Sequence, residues 1–177
     1  MKFEEAKLKG LYVIEPEIHV DERGYFTRIF CKKEFTENGI SFNIVQINRS
    51  LNKKQGTIRG MHFQKSPKAE DKIIQCIKGK IYDVAIDLRQ DSPTYGEWFA
   101  EELSEENKKM FLIPKGFAHG FQTLTDSCEI LYFMSEFYSP QYESGVRWDD
   151  PFFNIKWPIK NPVVSEKDQS WPLIPHP

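Results

Sequence analysis

The stretch DKIIQCIKGKIYDVAIDLR, residues 71–89, has the clearest strand pattern in the sequence. In residues 81–88, Tyr, Val, Ile and Leu occupy every second position, and this period of two predicts a strand with a buried face. The Lys78-Gly79-Lys80 step before it is typical of a hairpin turn, and residues 73–77 supply an apolar partner strand. The stretch therefore predicts two paired antiparallel strands joined by a tight turn.

Outward from this stretch, short apolar runs bounded by turn residues recur along the chain. Many short strands at such spacing are typical of a β-sandwich or barrel. Helical signals are few: residues 32–38 end at Gly39, and residues 104–107 resemble a helix start that lasts about one turn. We predict an all-β fold with a few short helices and with further strands at residues 11–14, 25–30, 42–47, 98–103, 110–113 and 129–133.

Length and charge limit the domain organisation and the partners. A chain of 177 residues suits one domain, so we expect a single domain over residues 1–177, with an extended tail at residues 171–177. The 24 basic and 26 acidic residues are interleaved, which indicates no nucleic-acid or membrane partner. The first residues lack the apolar core of a leader, and no segment approaches the roughly 18 to 20 apolar residues of a membrane span. We expect a cytoplasmic protein.

The three cysteines, Cys31, Cys76 and Cys128, are far apart in the sequence. Their spacing fits neither a disulfide framework nor a paired metal or redox motif. Each lies among apolar residues, so we predict that all three are buried structural thiols.

Two of the four histidines lie in unusual local sequences, His62 in RGMHFQ (59–64) and His119 in PKGFAHGF (114–121). The Pro-x-Gly-x-x-His spacing that ends at His119 resembles the second half of the metal-binding signature of cupin barrels. The first half, His-x-His followed by glutamate, is missing around His62, so the ligands fall short of the three or four that a catalytic metal requires. We therefore expect a cupin-like barrel without a metal.

Several separate motifs together resemble the dTDP-4-dehydrorhamnose 3,5-epimerase family, in its order and at its spacing. The resemblance implies a cupin-like jelly-roll barrel, no cofactor and a nucleotide-diphosphate sugar substrate. The family reaction inverts the carbons on both sides of the C4 ketone of a 4-keto-6-deoxy sugar, by loss of an alpha proton and return of a proton to the other face. The motifs are DERG (21–24), RGMHFQ (59–64), residues 71–89, IPKGFAHGFQTL (113–124) and SEKD (165–168).

The resemblance also implies four catalytic roles. His62 matches the base and Asp168 the carboxylate that pairs with it, as in other pairs of a base and an orienting acid. Tyr132 matches the residue that returns the proton, and Lys72 matches the residue that stabilises the enolate oxygen. From the residues alone, a structural histidine, a turn aspartate, a core tyrosine and a solvated lysine at a strand edge are the plainer interpretations.

Further matches concern substrate binding. Arg23 and Arg59 match positions that hold the diphosphate, a role that suits the paired donors of a guanidinium. Polar pocket positions are matched by Gln46 and Asn48. The role of His119, which matches a pocket residue, is left open, and Tyr138 follows Tyr132 in the same segment.

Arg28 departs from the family pattern. Family members that act on thymidine nucleotides usually carry a glutamate near the base at this position. Thymine N3 is a donor and suits a carboxylate, whereas cytosine N3 is an acceptor and suits an arginine, so a CDP-linked 4-keto-6-deoxyhexose is one hypothesis. The other is that Arg28 is a solvent-facing residue or forms a salt bridge with Glu34 or Glu37.

Two other functions remain open on the sequence. A 3-epimerase or a 3,4-ketoisomerase would share the deprotonation and differ in the position that is reprotonated, although the presence of both His62 and Tyr132 favours epimerisation. A non-catalytic sugar-binding barrel would lack the base, the acid or the lysine. The family also forms dimers with exchanged strands, so we expect a homodimer.

Overall fold

The computed structural model describes residues 1–174 of the chain. In this part the chain is dominated by short strands, with two α-helices, α1 (Lys32–Glu37) and α2 (Glu166–Gln169), and one 3₁₀ turn, Pro140–Tyr142. The strands are β1 (Lys2–Glu5), β2 (Tyr12–Glu15), β3 (Ile18–Asp21), β4 (Gly24–Thr27), β5 (Gln46–Asn52), β6 (Thr57–Gln64), β7 (Lys72–Lys78), β8 (Lys80–Asp87), β9 (Trp98–Ser104), β10 (Met110–Ile113), β11 (Phe117–Thr123), β12 (Cys128–Met134), β13 (Glu143–Gly145) and β14 (Val163–Val164).

The strands form two large sheets and one separate hairpin. Sheet A has the order β1-β2-β10-β7-β12-β5, and sheet B has the order β13-β6-β11-β8-β9, with β14 added parallel to β6. Most neighbours are distant in sequence, as is typical of a jelly roll. Strands β3 and β4 pair only with each other in the described residues. The prediction of an all-β, cupin-like jelly-roll barrel with a few short helices is confirmed.

The main core lies between the two sheets. Sheet A contributes Ile74, Phe111 and Ile130, and sheet B contributes Ile81 and Phe121, all of them fully buried. Alternate side chains of a strand point to opposite faces, so this shared cluster fixes which face of each sheet is internal. The internal face is the one from which a site inside the barrel must be built.

The two strands predicted from residues 71–89 are present, but the prediction that they pair with each other is wrong. Strand β7 belongs to sheet A and β8 to sheet B, so the chain passes from one sheet to the other at Gly79. Gly79 has a φ of +76°, and its N–H and carbonyl bond to the Glu105 side chain and main chain instead of closing a hairpin. A period of two identifies a strand without identifying its neighbour, and a glycine turn serves a corner as well as a hairpin.

Two other local predictions are corrected. Strand β5 begins at Gln46, so most of the predicted strand 42–47 is irregular. Phe42 is apolar because it packs in a core cluster beside Phe35. Residues 104–107 form a turn, closed by mutual hydrogen bonds between the Ser104 and Asn107 side chains and main-chain N–H groups, both 3.0 Å. Helix α1 and strands β9, β10 and β12 agree with the predictions.

Strands β6 and β11 approach closely at two glycines. A Cβ built on Gly60 would lie 2.5 Å from Gly120 Cα, and one on Gly120 would lie 2.8 Å from the Arg59 carbonyl oxygen. Gly60 also has a φ of +142°, which favours glycine. Next to this contact, His119 pairs with His62 in the strand register. The two histidine motifs therefore meet across one sheet.

The three cysteines differ in burial. Cys76 and Cys128 are buried, as predicted, and burial raises the pKa of Cys76 to about 12. The prediction is wrong for Cys31, which is only partly buried where α1 begins. The described part of the tail, residues 171–174, has no regular secondary structure, and residues 175–177 lie outside the described residues. No helix within residues 1–174 is long and apolar enough to cross a membrane.

Candidate active site

One pocket collects five of the predicted site residues. It has a volume of about 310 Å³ and lies between the sheets, since His62 comes from β6 in sheet B while Lys72 comes from β7 in sheet A. Five predicted residues line it, namely Gln46, Asn48, His62, Lys72 and Tyr138. The other lining residues are Phe63, Gln64, Glu70, Met134, Glu136 and Glu143.

His62 is hydrogen-bonded to Asp168, the residue that the family resemblance pairs with it. Its Nε2 lies 2.6 Å from Asp168 Oδ1. Burial alone would raise the pKa of Asp168, but hydrogen bonding and the charge of His62, together with the Gly60 N–H, hold that pKa below its usual value. An ionised carboxylate only accepts hydrogen bonds, so Nε2 carries the proton in this contact. The lone pair of the neutral imidazole is then on Nδ1.

Helix α2 carries Asp168 and brings its side chain against strand β6. Its N-cap, Ser165, accepts a hydrogen bond from the Asp168 N–H at 3.1 Å, which satisfies a donor of the first turn. The second oxygen of Asp168 accepts the Gly60 N–H at 3.3 Å. Trp171 follows the helix and stacks edgewise on His62, with ring centroids 6.2 Å apart. The imidazole is therefore held by groups more than 100 residues away in the sequence.

Lys72 is buried at the pocket wall and is not a solvated strand-edge charge. Its Nζ lies 2.9 Å from Glu70 Oε1, and the two side chains are 7% and 4% exposed. The ammonium also donates to the His62 carbonyl oxygen at 3.4 Å. A cation this enclosed requires a counter-charge. Glu70 supplies that counter-charge inside the pocket.

Tyr132 lies on the internal face, two residues before Met134 of the pocket wall. Its hydroxyl is 2.9 Å from Ser50 Oγ, which accepts from Asn52 Nδ2 at 3.3 Å. Arg59 Nε in turn donates to Asn52 Oδ1 at 2.6 Å. Burial raises the pKa of Tyr132 to about 12. The phenol is therefore neutral near neutral pH and holds a transferable proton.

His119 forms a second histidine–carboxylate pair. Its Nε2 is 2.5 Å from Asp83 Oδ1, and both side chains are almost fully enclosed. Burial lowers the pKa of His119, and the charges of Lys72 and His62 lower it further. Burial disfavours the charged form of Asp83 as well, which raises the pKa of that carboxyl. His119 thus lies close to Lys72 and His62 without being among the lining residues of the pocket.

Tyr138 and Glu143 of the pocket wall form a hydrogen-bonded group with Lys167. The Tyr138 hydroxyl donates to Glu143 Oε2 at 3.0 Å, and Lys167 Nζ donates to Glu143 Oε1 at 2.6 Å. Gln46 Oε1 accepts the Tyr138 N–H at 3.3 Å, and Gln46 Nε2 donates to Asn48 Oδ1 at 3.2 Å. The pocket therefore offers several polar groups to a ligand with many hydroxyls.

Arg23 and Arg28 lie elsewhere in the chain. Arg23 is exposed in the turn of the β3–β4 hairpin and pairs with Asp21 at 2.5 Å. Arg28 is exposed and donates to Glu34 Oε1 at 2.8 Å, as the salt-bridge interpretation predicts. Neither lines the 310 Å³ pocket.

No sequence motif marks Glu70, Glu143, Asp83 or Ser50 as site residues. Glu70 stands in Ala69-Glu70-Asp71-Lys72, which looks like a solvated turn. One signal was available, because residues two apart in an extended chain share a face, so Glu70 belongs beside Lys72. In the described part of the chain, no three His, Cys, Asp or Glu side chains are grouped so that they could hold a metal ion.

Known proteins match this chain over nearly its full length. The family model described as dTDP-4-dehydrorhamnose 3,5-epimerase matches residues 5–176. A dTDP-4-dehydrorhamnose 3,5-epimerase from Methanothermobacter thermautotrophicus is 46% identical over 180 residues, which cover 99% of this chain and 96% of that protein.

Solved structures extend the comparison. The Bacillus anthracis dTDP-4-dehydrorhamnose 3,5-epimerase, solved with TDP and pyrophosphate bound, is 44% identical, covers 98% of this chain and 99% of its own, and superposes with a TM-score of 0.96. The 3′-monoepimerase ChmJ of Streptomyces bikiniensis, in complex with dTDP-quinovose, is 31% identical, with 94% and 85% coverage and a TM-score of 0.89. On the family match and these identities, the chain belongs to the dTDP-4-dehydrorhamnose 3,5-epimerase family.

Proposed function

We propose that this protein is an epimerase that inverts C3 and C5 of dTDP-4-dehydro-6-deoxyglucose. The observation that carries the proposal is the convergence of three groups: His62, oriented by Asp168, and Lys72 meet in one pocket between the sheets. Proton transfer next to a ketone requires a base and a cation for the enolate oxygen. Membership of the family and the names of the relatives support the same reaction.

In the proposed first step, Nδ1 of His62 removes the proton from the carbon next to the ketone. Asp168 stabilises the imidazolium that results and does not itself need to change protonation. The negative charge that develops on the ketone oxygen is stabilised by the Lys72 ammonium. This interaction is worth more in an enclosed pocket than in water, because little solvent screens it.

In the second step, Tyr132 returns a proton from the opposite face. Its raised pKa keeps it protonated until the enolate, a strong base, is present. The Ser50 hydroxyl, 2.9 Å away, accepts or donates as the phenol changes state. Arg59 is proposed to bind the diphosphate at the end of the same hydrogen-bonded row.

We propose dTDP as the nucleotide. Arg28, the residue that suggested CDP, is engaged with Glu34, so its charge has a structural partner. The Bacillus anthracis relative was solved with TDP and ChmJ with dTDP-quinovose. A CDP-linked sugar is the alternative that the experiment below separates.

The proposal predicts deuterium incorporation at both carbons. Proton NMR in deuterium oxide would follow dTDP- and CDP-4-keto-6-deoxyglucose with the enzyme. We expect exchange at C3 and C5 of the dTDP sugar and at least about tenfold slower exchange with the CDP sugar, as for loss of one base-specific contact. Exchange at one carbon would identify a monoepimerase like ChmJ, and none with either sugar would contradict the proposal.

We also propose a homodimer formed through the β3–β4 hairpin. Val20, Tyr25 and Phe26 on this hairpin are 78%, 60% and 68% exposed. Strand β5 is an edge of sheet A and exposes Ile47 and Leu51. An apolar hairpin and an open apolar edge are complementary, and contact between two copies would bury both. In such a dimer Arg23 faces the second copy, which fits a ligand-binding arginine that lies outside its own pocket.

Light scattering tests the dimer. We expect a mass of about 42 kDa, twice the 20.8 kDa of one chain. The change Val20→Glu with Phe26→Glu should yield monomers, because two charges cannot be buried without partners. Tyr95→Glu, at an exposed aromatic residue outside the hairpin, is the matched control and should remain dimeric. A monomeric wild type would contradict the proposal.

A cytoplasmic location is proposed as well. The support is chemical: Cys76 and Cys128 are unpaired thiols in the core. Reduced thiols are the usual state of cysteines in the cytoplasm.

A further inference from the structure

Glu70 is a buried pocket carboxylate to which the proposed reaction assigns no step. Its side chain is 4% exposed and lines the same pocket as His62. One oxygen contacts Lys72 Nζ at 2.9 Å, and the other accepts the Gln64 N–H at 3.2 Å. A carboxylate this enclosed is stable only with partners. Its contact with Lys72 is therefore part of the built site.

The donors of Lys72 show what this contact achieves. An ammonium has three N–H donors. The Glu70 carboxylate takes one and the His62 carbonyl oxygen takes a second. Lys72 lines the pocket, so the third donor is available to a bound sugar. Because the lysine stem is long and flexible, the two protein contacts decide where the third donor points.

Glu70 is itself firmly held. Gln64, whose N–H it accepts, donates through its side chain to the Lys68 carbonyl at 2.8 Å and to the Phe137 carbonyl at 3.3 Å. The Gln64 side-chain oxygen accepts the Ser139 N–H at 2.6 Å. The carboxylate is thus bonded to a β6 residue whose side chain is in turn fixed to the segment after β12. Such an anchor can fix a flexible ammonium.

We propose that Glu70 is a positioning residue, which holds the Lys72 ammonium against the His62 carbonyl so that its third donor meets the ketone oxygen of the substrate. The inference rests on the proposed function. Charge on that oxygen develops only as the alpha proton leaves, so a misdirected donor weakens the transition state more than the bound ketone. Loss of Glu70 therefore lowers kcat and leaves KM nearly unchanged.

Steady-state kinetics with dTDP-4-keto-6-deoxyglucose test the proposal. For Glu70→Ala we expect kcat to fall about 10- to 100-fold with KM within about twofold, as for other small misplacements of a catalytic group. Glu70→Gln keeps one oxygen for Lys72 but cannot also accept the Gln64 N–H, because its other group is a donor. We expect Glu70→Gln to retain kcat within about fivefold of wild type.

Two further variants control for effects that do not involve the contact between Glu70 and Lys72. Glu101→Ala removes a carboxylate that pairs with Lys109 at 2.7 Å on β9, away from the pocket, and should leave kcat unchanged. Glu70→Met fills the space without an acceptor. The kcat of Glu70→Met should match that of Glu70→Ala, even if the alanine variant loses thermal stability. Thermal unfolding and dTDP binding would reveal such a loss.

Three results would overturn the proposal. They are an unchanged kcat in Glu70→Ala and Glu70→Met, equal losses in the Ala and Gln variants, and a higher KM with kcat unchanged. Equal losses would assign the effect to the Gln64 contact and so to local structure. Absence of turnover by the wild type would contradict the proposed function itself, whereas wild-type turnover with an unaffected Glu70→Ala contradicts only this inference.

Discussion

Alanine in place of His62 is expected to lower deuterium exchange at C3 and C5 by about 10³-fold, within the roughly 10²- to 10⁴-fold range that positioned bases supply. The reason is geometric, since His62 is the pocket residue that Asp168 orients at 2.6 Å. Its loss removes the Nδ1 lone pair that we propose takes the alpha proton, and it leaves the polar residues of the pocket wall in place. Binding of dTDP is expected to persist.

The companion variant Asp168→Asn separates orientation from basicity. An amide presents a donor as readily as an acceptor to Nε2, which favours the tautomer with the proton on Nδ1. We expect a loss of about 10²-fold or more with His62 still present. Both variants would be compared by NMR in deuterium oxide, with thermal unfolding as the check on folding. Exchange by His62→Ala within tenfold of wild type would show that the base lies elsewhere.

Methionine in place of Lys72 is expected to lower kcat by about 10²- to 10³-fold, the usual cost of removing one donor to a developing oxyanion. Methionine keeps the length of the side chain and removes its charge. The change also leaves the buried Glu70 carboxylate without its counter-charge. Breaking a buried pair in this way destabilises a protein by about 3–5 kcal/mol. Activity and stability should therefore both fall.

The double change Lys72→Met with Glu70→Gln distinguishes the two effects. It removes both buried charges, so we expect much of the thermal stability to return while kcat stays low. Lys109→Met, at another paired lysine outside the pocket, is the control and should leave kcat unchanged. A double variant that regains activity along with stability would show that Lys72 matters only for folding.

The strands could be predicted from sequence, but not all of their neighbours. Residues 73–77 and 81–88 alternate as strands do, yet β7 and β8 separate into different sheets at Gly79. Partner choice depends on long-range packing, such as the core cluster between the sheets to which both Ile74 and Ile81 belong. A local turn motif does not contain that information.

The site residues, like the strand pairings, could be predicted from the sequence only in part. The resemblance of separate motifs was sufficient to predict His62, Asp168 and Lys72, which the fold brings together. Glu70 was missed because adjacent charges in sequence suggest solvent, and only the barrel shows that this segment is enclosed. The roles of all these residues stay predictions until the variants are measured.

Residue Asp168 follows His62 by 106 positions. A ribosome adds about 5–20 residues per second, so roughly 5 to 20 s pass between the synthesis of the histidine and that of its carboxylate. During that interval strand β6 can exist on the nascent chain, but the imidazole has no orienting partner. Orientation of the imidazole by Asp168 is thus a later event than synthesis of the strand that carries the histidine.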